Sequence, residues 1–514
     1  MAPRPVRRFN TGMTSATGTR LLHNYIGGSW VASSGTEQLD VTNPATGEVL
    51  ARVPLSTRAD VESAAAAARV ALPEWRSRSA IERARWLFRF RQVMEERQDD
   101  IARLVTQEMG KTLPDARAEV GRAIEMVEAA TAVPQTMQGR VLENVATAVD
   151  CETIRQPVGV CAAIVPFNFP AMVPFWFLPF AIACGNTFVL KPSEQVPLTQ
   201  ELVFGLIHEA GGLPPGVVNL VNGSVDVVNG LLDSPAVDAV SFVGSAKVAK
   251  YVYERAAAAG KRVQALGGAK NFMVVMPDAV MDRTVSNILG SAFGAAGQRC
   301  MAGSVVVSVG DARPPLLELL EARTRELSVG DGLADGVDVG PVVSCASRDR
   351  ILEWIDKGVA AGATLLVDGR GPAAHPGGSF VGPTLLDNVT PDMEIAQEEV
   401  FGPVLSVIHA ESLAEAIAIV NSSRYGNGTS IFTESGAAVR TYRHDVEVGM
   451  IGVNIGVAAP VAFFPFSGWK GSFFGDLHAH GADAIEFFTR KKTITSRFFS
   501  SGDSGPFFVE QGGS

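Results

Sequence analysis

The chain is poor in cysteine, with 5 among 514 residues. Their irregular spacing gives no disulfide framework and no paired Cys-x-x-Cys signature of a bound metal. An excess of positive charge is also lacking, since the formal net charge is −10. That balance argues against nucleic acid or an anionic membrane surface as a partner. The few cysteines predict a protein of a reducing, cytoplasmic compartment, and their spacing predicts no metal site.

Charged residues are missing from the segment between Pro157 and Leu190, which is long enough to span a bilayer. Four prolines interrupt this segment, at Pro166, Pro170, Pro174 and Pro179. A membrane-spanning helix tolerates one such break far better than four. The segment therefore predicts a soluble core rather than a membrane anchor, with a strand over 158–165, a loop, a helix over 171–184 and a strand over 187–190.

The N-terminal part of the chain carries strong helix signals. Residues 57–132 have the pattern of helices, and Thr57-x-x-Asp60 before an alanine run is a capping pattern. Gly110 is expected to end an arginine-rich amphipathic helix. The segment 139–156 then alternates and is partly β-branched, which predicts a strand or a hairpin.

Alternating strands and helices dominate the remainder. Short apolar strands alternate with helices from 158 to 280, and a second run of this kind covers about 300–460. This alternation predicts an α/β protein with parallel sheets, and a chain of 514 residues is long enough for about three domains. No Gly-x-Gly-x-x-Gly pattern follows any strand, so the usual dinucleotide fingerprint is absent.

Both ends of the chain have the composition of tails. The first 20 residues are basic, contain no acidic residue and lack the apolar core of a secretory signal. Such a segment fits a disordered tail, and it also fits a presequence that would send the protein to the mitochondrial matrix instead of the cytoplasm. Residues 500–514 are rich in glycine and serine and are expected to be disordered as well.

Cys300 is the candidate nucleophile. It lies in Phe293-Gly-Ala-Ala-Gly-Gln-Arg-Cys-Met-Ala302, where Arg299 stands directly beside the thiol. A neighbouring cation and a glycine-rich approach favour thiolate character and access. Taken alone, a cysteine is more often a small buried hydrophobic residue. Two other segments add weight: Pro166-Phe-Asn-Phe-Pro170, which carries Asn168 in an uncharged loop, and Glu398-Glu-Val-Phe-Gly-Pro403.

Five motifs follow one another along the chain: Pro166-Phe-Asn-Phe-Pro170, Lys191-Pro-Ser-Glu194, Phe242-Val-Gly-Ser245, Gly297-Gln-Arg-Cys300 and Glu399-Val-Phe-Gly-Pro403. In order and spacing they resemble the aldehyde dehydrogenase superfamily over about residues 20–498. Further segments are similar to its CoA-acylating branch, the methylmalonate-semialdehyde dehydrogenases: Gly267-Gly-Ala-Lys-Asn271, Phe464-Pro-Phe-Ser-Gly468 and Lys492-Thr-Ile-Thr-Ser496. One such motif is weak support, whereas five in register are strong.

The resemblance implies an α/β fold with a Rossmann-type cofactor domain, an α/β catalytic domain and a small β part for oligomerisation. The expected parts are a NAD-binding domain over 20–138 and 157–262, a catalytic domain over 263–465, an oligomerisation part over 139–156 and 466–498, and disordered tails over 1–19 and 499–514. Exposed strands of the oligomerisation part would pair across subunits. The implied assembly is a homotetramer built as a dimer of dimers.

The resemblance also implies roles for individual residues. Cys300 would be the nucleophile and Asn168 the donor to the oxyanion. Cofactor contacts are expected from Val165, Phe167, Lys191, Glu194, Ser245, Glu399 and Phe401. The carboxylate of Glu194 favours NAD, because it repels the 2′-phosphate of NADP. Arg122 and Arg299 would hold a substrate carboxylate, for which guanidinium is suited, although Arg122 also fits an exposed helix cation.

The most informative absence is at Ala265. Water-using members of the superfamily carry a catalytic glutamate in the segment Glu-Leu-Gly-Gly, whereas this chain has Gln264-Ala-Leu-Gly-Gly268. Without a positioned base, hydrolysis of a thioester loses about 10²–10⁴-fold in rate. A thiol acceptor needs less help, because a few per cent is already thiolate near neutral pH. Coenzyme A is therefore the expected acceptor and co-substrate.

The predicted reaction is the NAD-dependent oxidation of malonate or methylmalonate semialdehyde, with decarboxylation and release as acetyl-CoA or propionyl-CoA. Valine catabolism is one pathway that would use it. Two alternatives stay open: a hydrolytic aldehyde dehydrogenase that releases a free carboxylic acid, with a carboxylate from elsewhere as the base, and a scaffold that has lost catalysis. Phe272 and Gln195 stand where the branch usually has histidine and arginine, which puts the roles of those residues in doubt.

Overall fold

A computed structural model of the chain describes residues 19–371 and 377–499. The predicted disordered tails lie outside the described residues, except for residues 19 and 499 at their edges. Within the two described ranges, no helix is long and apolar enough to cross a membrane. The uncharged segment 157–190 instead forms strands and short helices that are mostly buried.

A mainly parallel sheet forms in the N-terminal half, because its apolar strands are covered on both faces. In the strand Val160–Ile164, Cys161 and Ala163 join one core cluster and the intervening residues join another. Such two-sided burial is typical of a parallel sheet between layers of helices. The inner strands are parallel and the edge strands antiparallel. The strand order is Ser29–Val31, Asn24–Ile26, Val218–Leu220, Thr187–Lys191, Val160–Ile164, Ala239–Val243, Arg262–Leu266 and Phe473–Phe474.

A second sheet forms in the C-terminal half around its own core cluster. Its strands are parallel, except for the antiparallel pair Thr364–Val367 and Thr384–Asp387 at one edge. The strand order is Thr364–Val367, Thr384–Asp387, Val404–Ala410, Gly303–Val309, Asn271–Val275, Gly428–Phe432 and Met450–Val453. The chain thus builds two separate α/β layers, and Cys300 precedes the strand Gly303–Val309 of the second one.

A third, antiparallel sheet joins the hairpin to the C-terminal part of the chain. Its order is Thr489–Ser496, Val149–Pro157 and Arg140–Ala146. The outer strand Arg140–Ala146 is exposed along its whole length. Two short ribbons complete the strands: Gln38–Thr42 with Val49–Pro54, and Tyr425–Gly426 with Trp469–Lys470.

Helices surround the sheets. Those of the N-terminal half are Arg58–Ser77, Ala80–Glu96, Gln98–Met109, Leu113–Ala130, Val133–Thr136, Met172–Phe175, Leu178–Ala183, Leu198–Ala210, Val225–Asp233 and Ala246–Ala258. Those of the C-terminal half are Met281–Phe293, Arg313–Glu326, Cys345–Ala360, Glu394–Gln397, Leu413–Ser422, Gly436–Asp445 and Gly481–Phe488, with 3-10 turns at Gly294–Gly297 and Gly310–Ala312.

The predicted α/β class is confirmed, and the differences are local. The capping box of Thr57 and Asp60 is present. The single arginine-rich helix expected before Gly110 is interrupted at Arg97 and forms two helices. Gly110 does end the second of them, with φ at 99°, in the left-handed conformation that glycine adopts without strain.

Two expected features differ further along the chain. The helix expected over 171–184 is two short helices, because Pro179 suits the first turn of a new helix better than the interior of an old one. The strand Arg262–Leu266 was not expected, and it pairs in the first sheet. The expected domain boundary at 262/263 therefore falls inside a strand of that sheet.

Candidate active site

The segment before Cys300 has an unusual backbone. Ala295, Ala296 and Gly297 follow one another with φ values of 51°, 52° and 70°, in the left-handed region that residues other than glycine rarely adopt. A Cβ atom on Gly297 would lie 2.2 Å from the carbonyl oxygen of Gly402, so glycine is required for this approach. Strain of this kind persists where surrounding contacts fix it, and it is common at functional sites.

Two asparagines hold the backbone of Cys300 in place. The Nδ2 atom of Asn271 donates to the carbonyl oxygens of Cys300 and Ala302, at 2.9 and 3.0 Å. The Nδ2 atom of Asn427 donates to the same Cys300 oxygen at 2.9 Å. Asn271 begins one strand of the second sheet and Asn427 directly precedes the neighbouring strand, so the sheet itself positions Cys300.

The Cys300 thiol is partly buried, and its pKa is raised to about 12. Burial is the largest cause, followed by the negative charge of Glu399, while the Lys111 ammonium acts in the opposite direction. The expectation that Arg299 supplies the charge beside the thiol is wrong, because its guanidinium pairs with Asp115 at 2.7 Å. The thiol is therefore protonated at neutral pH in this structure.

Asn168 lies next to the Cys300 loop, as predicted from the motifs. It is buried, and its Nδ2 atom donates to the carbonyl oxygen of Gln298 at 3.0 Å. Gln298 stands two residues before Cys300 and is itself held by the backbone N–H of Val343, which donates to its Oε1 atom at 3.1 Å. A second N–H of the Asn168 amide remains for another acceptor.

A pocket adjoins Cys300. Its walls combine two guanidinium groups with aromatic rings, and its lining includes Arg122, Arg299, Phe169, Trp176, Phe466 and His480. We call it the arginine pocket. It brings both predicted substrate arginines to the candidate nucleophile.

Each arginine of this pocket has a carboxylate partner. Arg122 donates to Glu125 at 2.6 Å and to the carbonyl oxygen of Pro460. Arg299 pairs with Asp115 at 2.7 Å. The two positive charges are therefore balanced within the protein. An anionic ligand in the arginine pocket has to share the guanidinium N–H groups with these partners.

Two more polar side chains, His480 and Trp176, line the arginine pocket, and no sequence motif pointed to either of them. The Nδ1 atom of His480 lies 2.7 Å from the carbonyl oxygen of Phe464 and so carries the proton, since a carbonyl only accepts. Burial lowers the pKa of His480 to about 4, which keeps the ring neutral. The Nε1–H of Trp176 is buried and has no hydrogen-bond partner among the described residues. A ligand oxygen would satisfy that donor.

A second pocket adjoins Cys300 and is lined by Glu399, Phe401 and Ala269 among others. We call it the glutamate pocket. The Oε1 atom of Glu399 accepts a hydrogen bond from the Ala269 backbone at 3.0 Å, and burial raises the pKa of Glu399 to about 7. A Cβ atom on Gly268 would lie 2.5 Å from the Glu399 Oε2 atom, so glycine lets the carboxylate come close here.

Three predicted cofactor residues share one edge of the first sheet. Val165 follows the strand Val160–Ile164, Lys191 ends the next strand, and Ser245 follows the strand on the other side. Because these neighbouring strands are parallel, their carboxyl ends lie together. Ser245 is exposed at the start of the helix Ala246–Ala258. This edge is where α/β sheets bind ligands.

Four predicted cofactor residues form two contacting pairs, Lys191 with Glu194 and Phe167 with Phe401. Lys191 is buried, and its Nζ atom lies 2.7 Å from Oε2 of the partly exposed Glu194. The rings of Phe167 and Phe401 meet edge to face, with centroids 5.8 Å apart. Phe401 thereby connects the loop that carries Asn168 with the glutamate pocket.

Comparison with known proteins identifies the family. The model of the aldehyde dehydrogenase family matches residues 30–494. The chain belongs to the aldehyde dehydrogenase family. It is 52% identical over 481 residues to malonate-semialdehyde dehydrogenase 1 of Geobacillus kaustophilus (strain HTA426), covering 93% of this chain and 98% of that protein.

Solved structures agree with this membership. Methylmalonate-semialdehyde dehydrogenase from Oceanimonas doudoroffii is 46% identical, with a TM-score of 0.92 over 94% of this chain and 99% of that one. A structure described as a methylmalonate-semialdehyde dehydrogenase from Sinorhizobium meliloti 1021 complexed with NAD is 42% identical, with a TM-score of 0.92 over 94% of this chain and 99% of that one. The predicted family, fold and kind of enzyme are confirmed.

In this aldehyde dehydrogenase, Ala265 lies on the strand Arg262–Leu266 and is fully buried. Its methyl group joins the core cluster on one face of the first sheet, together with Phe242 and Ile164. Ala265 is not among the residues that line the arginine pocket or the glutamate pocket. The structure thus puts a small apolar group at this position.

Proposed function

We propose that this aldehyde dehydrogenase oxidises malonate or methylmalonate semialdehyde with NAD and transfers the decarboxylated acyl group to coenzyme A. The products are acetyl-CoA and propionyl-CoA. The observation that carries the proposal is that Cys300 adjoins two pockets, one with a pair of arginines and one with Glu399. The names of similar proteins support the same class of substrate.

Cys300 and Asn168 perform the first step in this proposal. The Cys300 sulfur forms a bond to the aldehyde carbon, the thiol proton passes to water, and the electrons of the carbonyl double bond move to oxygen. The oxyanion accepts hydrogen bonds from the Asn168 amide and from the backbone N–H of Cys300. Bound NAD supplies the acceptor for the hydride that leaves this adduct. The acyl group then remains on Cys300 as a thioester.

The residues at the sheet edge fit NAD by their chemistry. Lys191 and Glu194 offer a donor and an acceptor to the hydroxyls of a ribose, and the Glu194 carboxylate disfavours a 2′-phosphate. Ser245 presents a hydroxyl at a helix N-terminus, where phosphate is favoured. Glu399 accepts from a ribose hydroxyl in the glutamate pocket, and Phe401 supplies an apolar surface beside it. Val165 follows the strand Val160–Ile164, and the Phe167 ring meets the Phe401 ring edge to face.

The arginine pocket suits the carboxylate of the substrate. Arg122 and Arg299 retain N–H groups beyond those that pair with Glu125 and Asp115, because each guanidinium has five. The Nε1–H of Trp176 is a further donor, and it has no hydrogen-bond partner among the described residues. A semialdehyde with a carboxylate one carbon from the carbonyl can place its aldehyde at Cys300 and its carboxylate at these donors.

Decarboxylation follows from the position of that carboxylate. Once the thioester has formed, loss of CO₂ breaks the carbon–carbon bond and leaves an enolate that the thioester carbonyl stabilises. Protonation of the enolate carbon gives the acetyl or propionyl group. The thiolate of coenzyme A then attacks the thioester carbon and releases Cys300. The apolar Ala265 supports a thiol as acceptor, since it supplies no base for water.

Hydrolysis is the second candidate, and one observation favours it. Glu399 lines the same pocket as Cys300, and its pKa of about 7 is in the range of a general base. In that case Glu399 would activate a water molecule, and the product would be a free acid. An exchange of Glu399 for glutamine would then slow release of the acyl group far more than its formation.

The two candidates separate in one assay. NADH formation is followed with malonate and with methylmalonate semialdehyde, with and without coenzyme A, and the products are identified by mass spectrometry. We expect multiple turnovers only with coenzyme A, and acyl-CoA as the product. Equal turnover without coenzyme A and a free acid as product would establish hydrolysis. Turnover of uncharged aldehydes alone would contradict the role of the arginines.

We also propose that the third sheet forms the oligomerisation part of a homotetramer, a dimer of dimers. The strand Arg140–Ala146 has an open edge and carries exposed Val141, Leu142 and Val145. The first two sheets then correspond to the NAD-binding and catalytic domains. A cytoplasmic location fits the five free cysteines. Light scattering of the purified protein tests the assembly, and a monomer would contradict it.

A further inference from the structure

A lysine and a glutamate are fully buried beside the loop that carries Asn168. The Nζ atom of Lys111 lies 2.6 Å from the Oε2 atom of Glu119, and both side chains have no exposed surface. An ion pair in this environment adds little to stability on balance, because taking both charges out of water offsets their attraction. Such pairs are retained where they fix a specific arrangement.

Apart from their bond to each other, the hydrogen bonds of the Lys111 ammonium and the Glu119 carboxylate go to the Asn168 loop. Lys111 donates to the backbone carbonyl of Asn168 at 2.7 Å, and its ammonium lies 3.9 Å from the centre of the Phe169 ring. The Oε1 atom of Glu119 accepts from the backbone N–H groups of Ala171 and Met172, at 2.8 and 3.1 Å. Lys111 therefore contacts the loop before Pro170, and Glu119 contacts it after Pro170.

We propose that Lys111 and Glu119 are positioning residues that hold the Asn168 amide at the place where the oxyanion forms. The proposal rests on the function given above for Asn168. Neither residue touches the substrate in it. Lys111 holds the backbone carbonyl of Asn168 itself. The direction of the Asn168 side-chain amide therefore depends on this backbone contact.

The effect of losing the contact is set by geometry. An oxyanion donor contributes only when it lies within hydrogen-bond distance of the developing charge, and removing one costs about 10²–10³-fold in rate. A displacement of about 1 Å at a reacting centre can cost on the order of 10²-fold. We therefore expect Lys111→Met to slow the first turnover by about 10²-fold. Methionine keeps an apolar chain of similar length and lacks the ammonium.

A double-variant cycle with Asn168→Ala is the decisive experiment. The single-turnover rate of NADH formation is measured without coenzyme A for Lys111→Met, Asn168→Ala and the combination. If Lys111 acts through Asn168, the combination is no slower than Asn168→Ala alone, within about 2-fold. Multiplied losses in the combination would overturn the proposal. A Lys111→Met enzyme with the wild-type rate would overturn it as well.

Glu108 provides a matched control for Glu119. It is also fully buried, and its carboxylate accepts from two consecutive backbone N–H groups, those of Leu198 and Thr199. Its contacts do not include the Asn168 loop, and its pKa is raised to about 8 by burial, so glutamine is a close substitute. We expect Glu119→Gln to lower the single-turnover rate and to be non-additive with Asn168→Ala. Glu108→Gln should leave that rate within about 2-fold.

Loss of folding is separated from loss of positioning by a neutral pair. Lys111→Met combined with Glu119→Gln removes both charges and keeps an acceptor for the Ala171 and Met172 N–H groups. We expect its thermal unfolding midpoint and its NAD affinity to approach wild type while the single-turnover rate stays low. Recovery of the rate together with stability would show a merely structural pair. If Asn168→Ala itself is fully active, the proposed oxyanion function fails instead.

Discussion

The two pockets that adjoin Cys300 differ in how their charges are balanced. In the arginine pocket, Arg122 and Arg299 each face a carboxylate of the protein. In the glutamate pocket, the Glu399 carboxylate is buried and accepts a backbone hydrogen bond, and its pKa rises to about 7. The arginine pocket offers unpaired guanidinium N–H groups to an anion. In the glutamate pocket, the Glu399 carboxylate would attract a cationic ring placed beside it. In the proposed reaction, Cys300 would lie between the substrate carboxylate in the arginine pocket and the nicotinamide in the glutamate pocket.

Removing the shared residue gives the largest expected effect. Cys300→Ser replaces the thiol by a hydroxyl with a far higher pKa, and the burial that raises the pKa of Cys300 disfavours an anion at that position. We expect dehydrogenase activity to fall by ~10⁴-fold or more, with NAD affinity unchanged. An active serine variant would remove Cys300 from the mechanism.

The pH dependence of Cys300 alkylation comes next. The pKa of the thiol is raised to about 12 by burial and by Glu399, so the thiolate fraction rises about tenfold for each pH unit below that value. Carbamidomethylation of the ligand-free enzyme by iodoacetamide should therefore accelerate by about 10²-fold between pH 7 and pH 9. A rate that levels off below pH 8 would instead reveal a stabilised thiolate.

The arginine pocket is tested by the charge of the substrate. Arg122→Ala and Arg299→Ala each remove a charge-assisted hydrogen bond, which we expect to raise the KM for malonate semialdehyde by about 10–100-fold. The KM for propanal should change little, because propanal has no carboxylate. Arg117→Ala is a control on the helix that carries Arg122, since Arg117 is exposed and pairs with Asp99. Equal losses for both aldehydes would indicate a structural role for the arginines.

The smallest effect is expected in the glutamate pocket. Glu399→Gln removes the negative charge that raises the pKa of Cys300, so alkylation at pH 8 should become a few-fold faster. The same exchange should weaken NAD binding, measured by fluorescence titration. Slower alkylation would mean that Glu399 assists removal of the thiol proton, and the sign of the change decides between these roles.

The sequence predicted features whose residues lie close together along the chain better than contacts between distant residues. The capping box at Thr57 is local and was confirmed, and the motif around Asn168 led to a residue that does lie beside the Cys300 loop. The expectation that Arg299 supplies the charge beside the Cys300 thiol was wrong, because Asp115, which is far away in the sequence, pairs with its guanidinium. Adjacency along the chain says little about where a long, flexible cation points.

Long-range polar contacts account for most of what the sequence missed. Asn427 donates to the Cys300 carbonyl from just before the strand Gly428–Phe432, and Lys111 reaches the Asn168 loop from just before the helix Leu113–Ala130. In the sequence each is an ordinary polar residue of a kind that usually lies at the surface. No sequence pattern pointed to His480 either, although it lines the arginine pocket and burial keeps its ring neutral by lowering its pKa.

In the proposed mechanism, the acyl group stays on Cys300 as a thioester until coenzyme A removes it. The enzyme is mixed with NAD and malonate semialdehyde without coenzyme A, quenched with acid, and examined by intact-protein and peptide mass spectrometry. We predict an acetyl adduct on the peptide that contains Cys300, which disappears when coenzyme A is added before the quench and is absent in Cys300→Ser. Unmodified Cys300 together with free acid in solution would contradict the account.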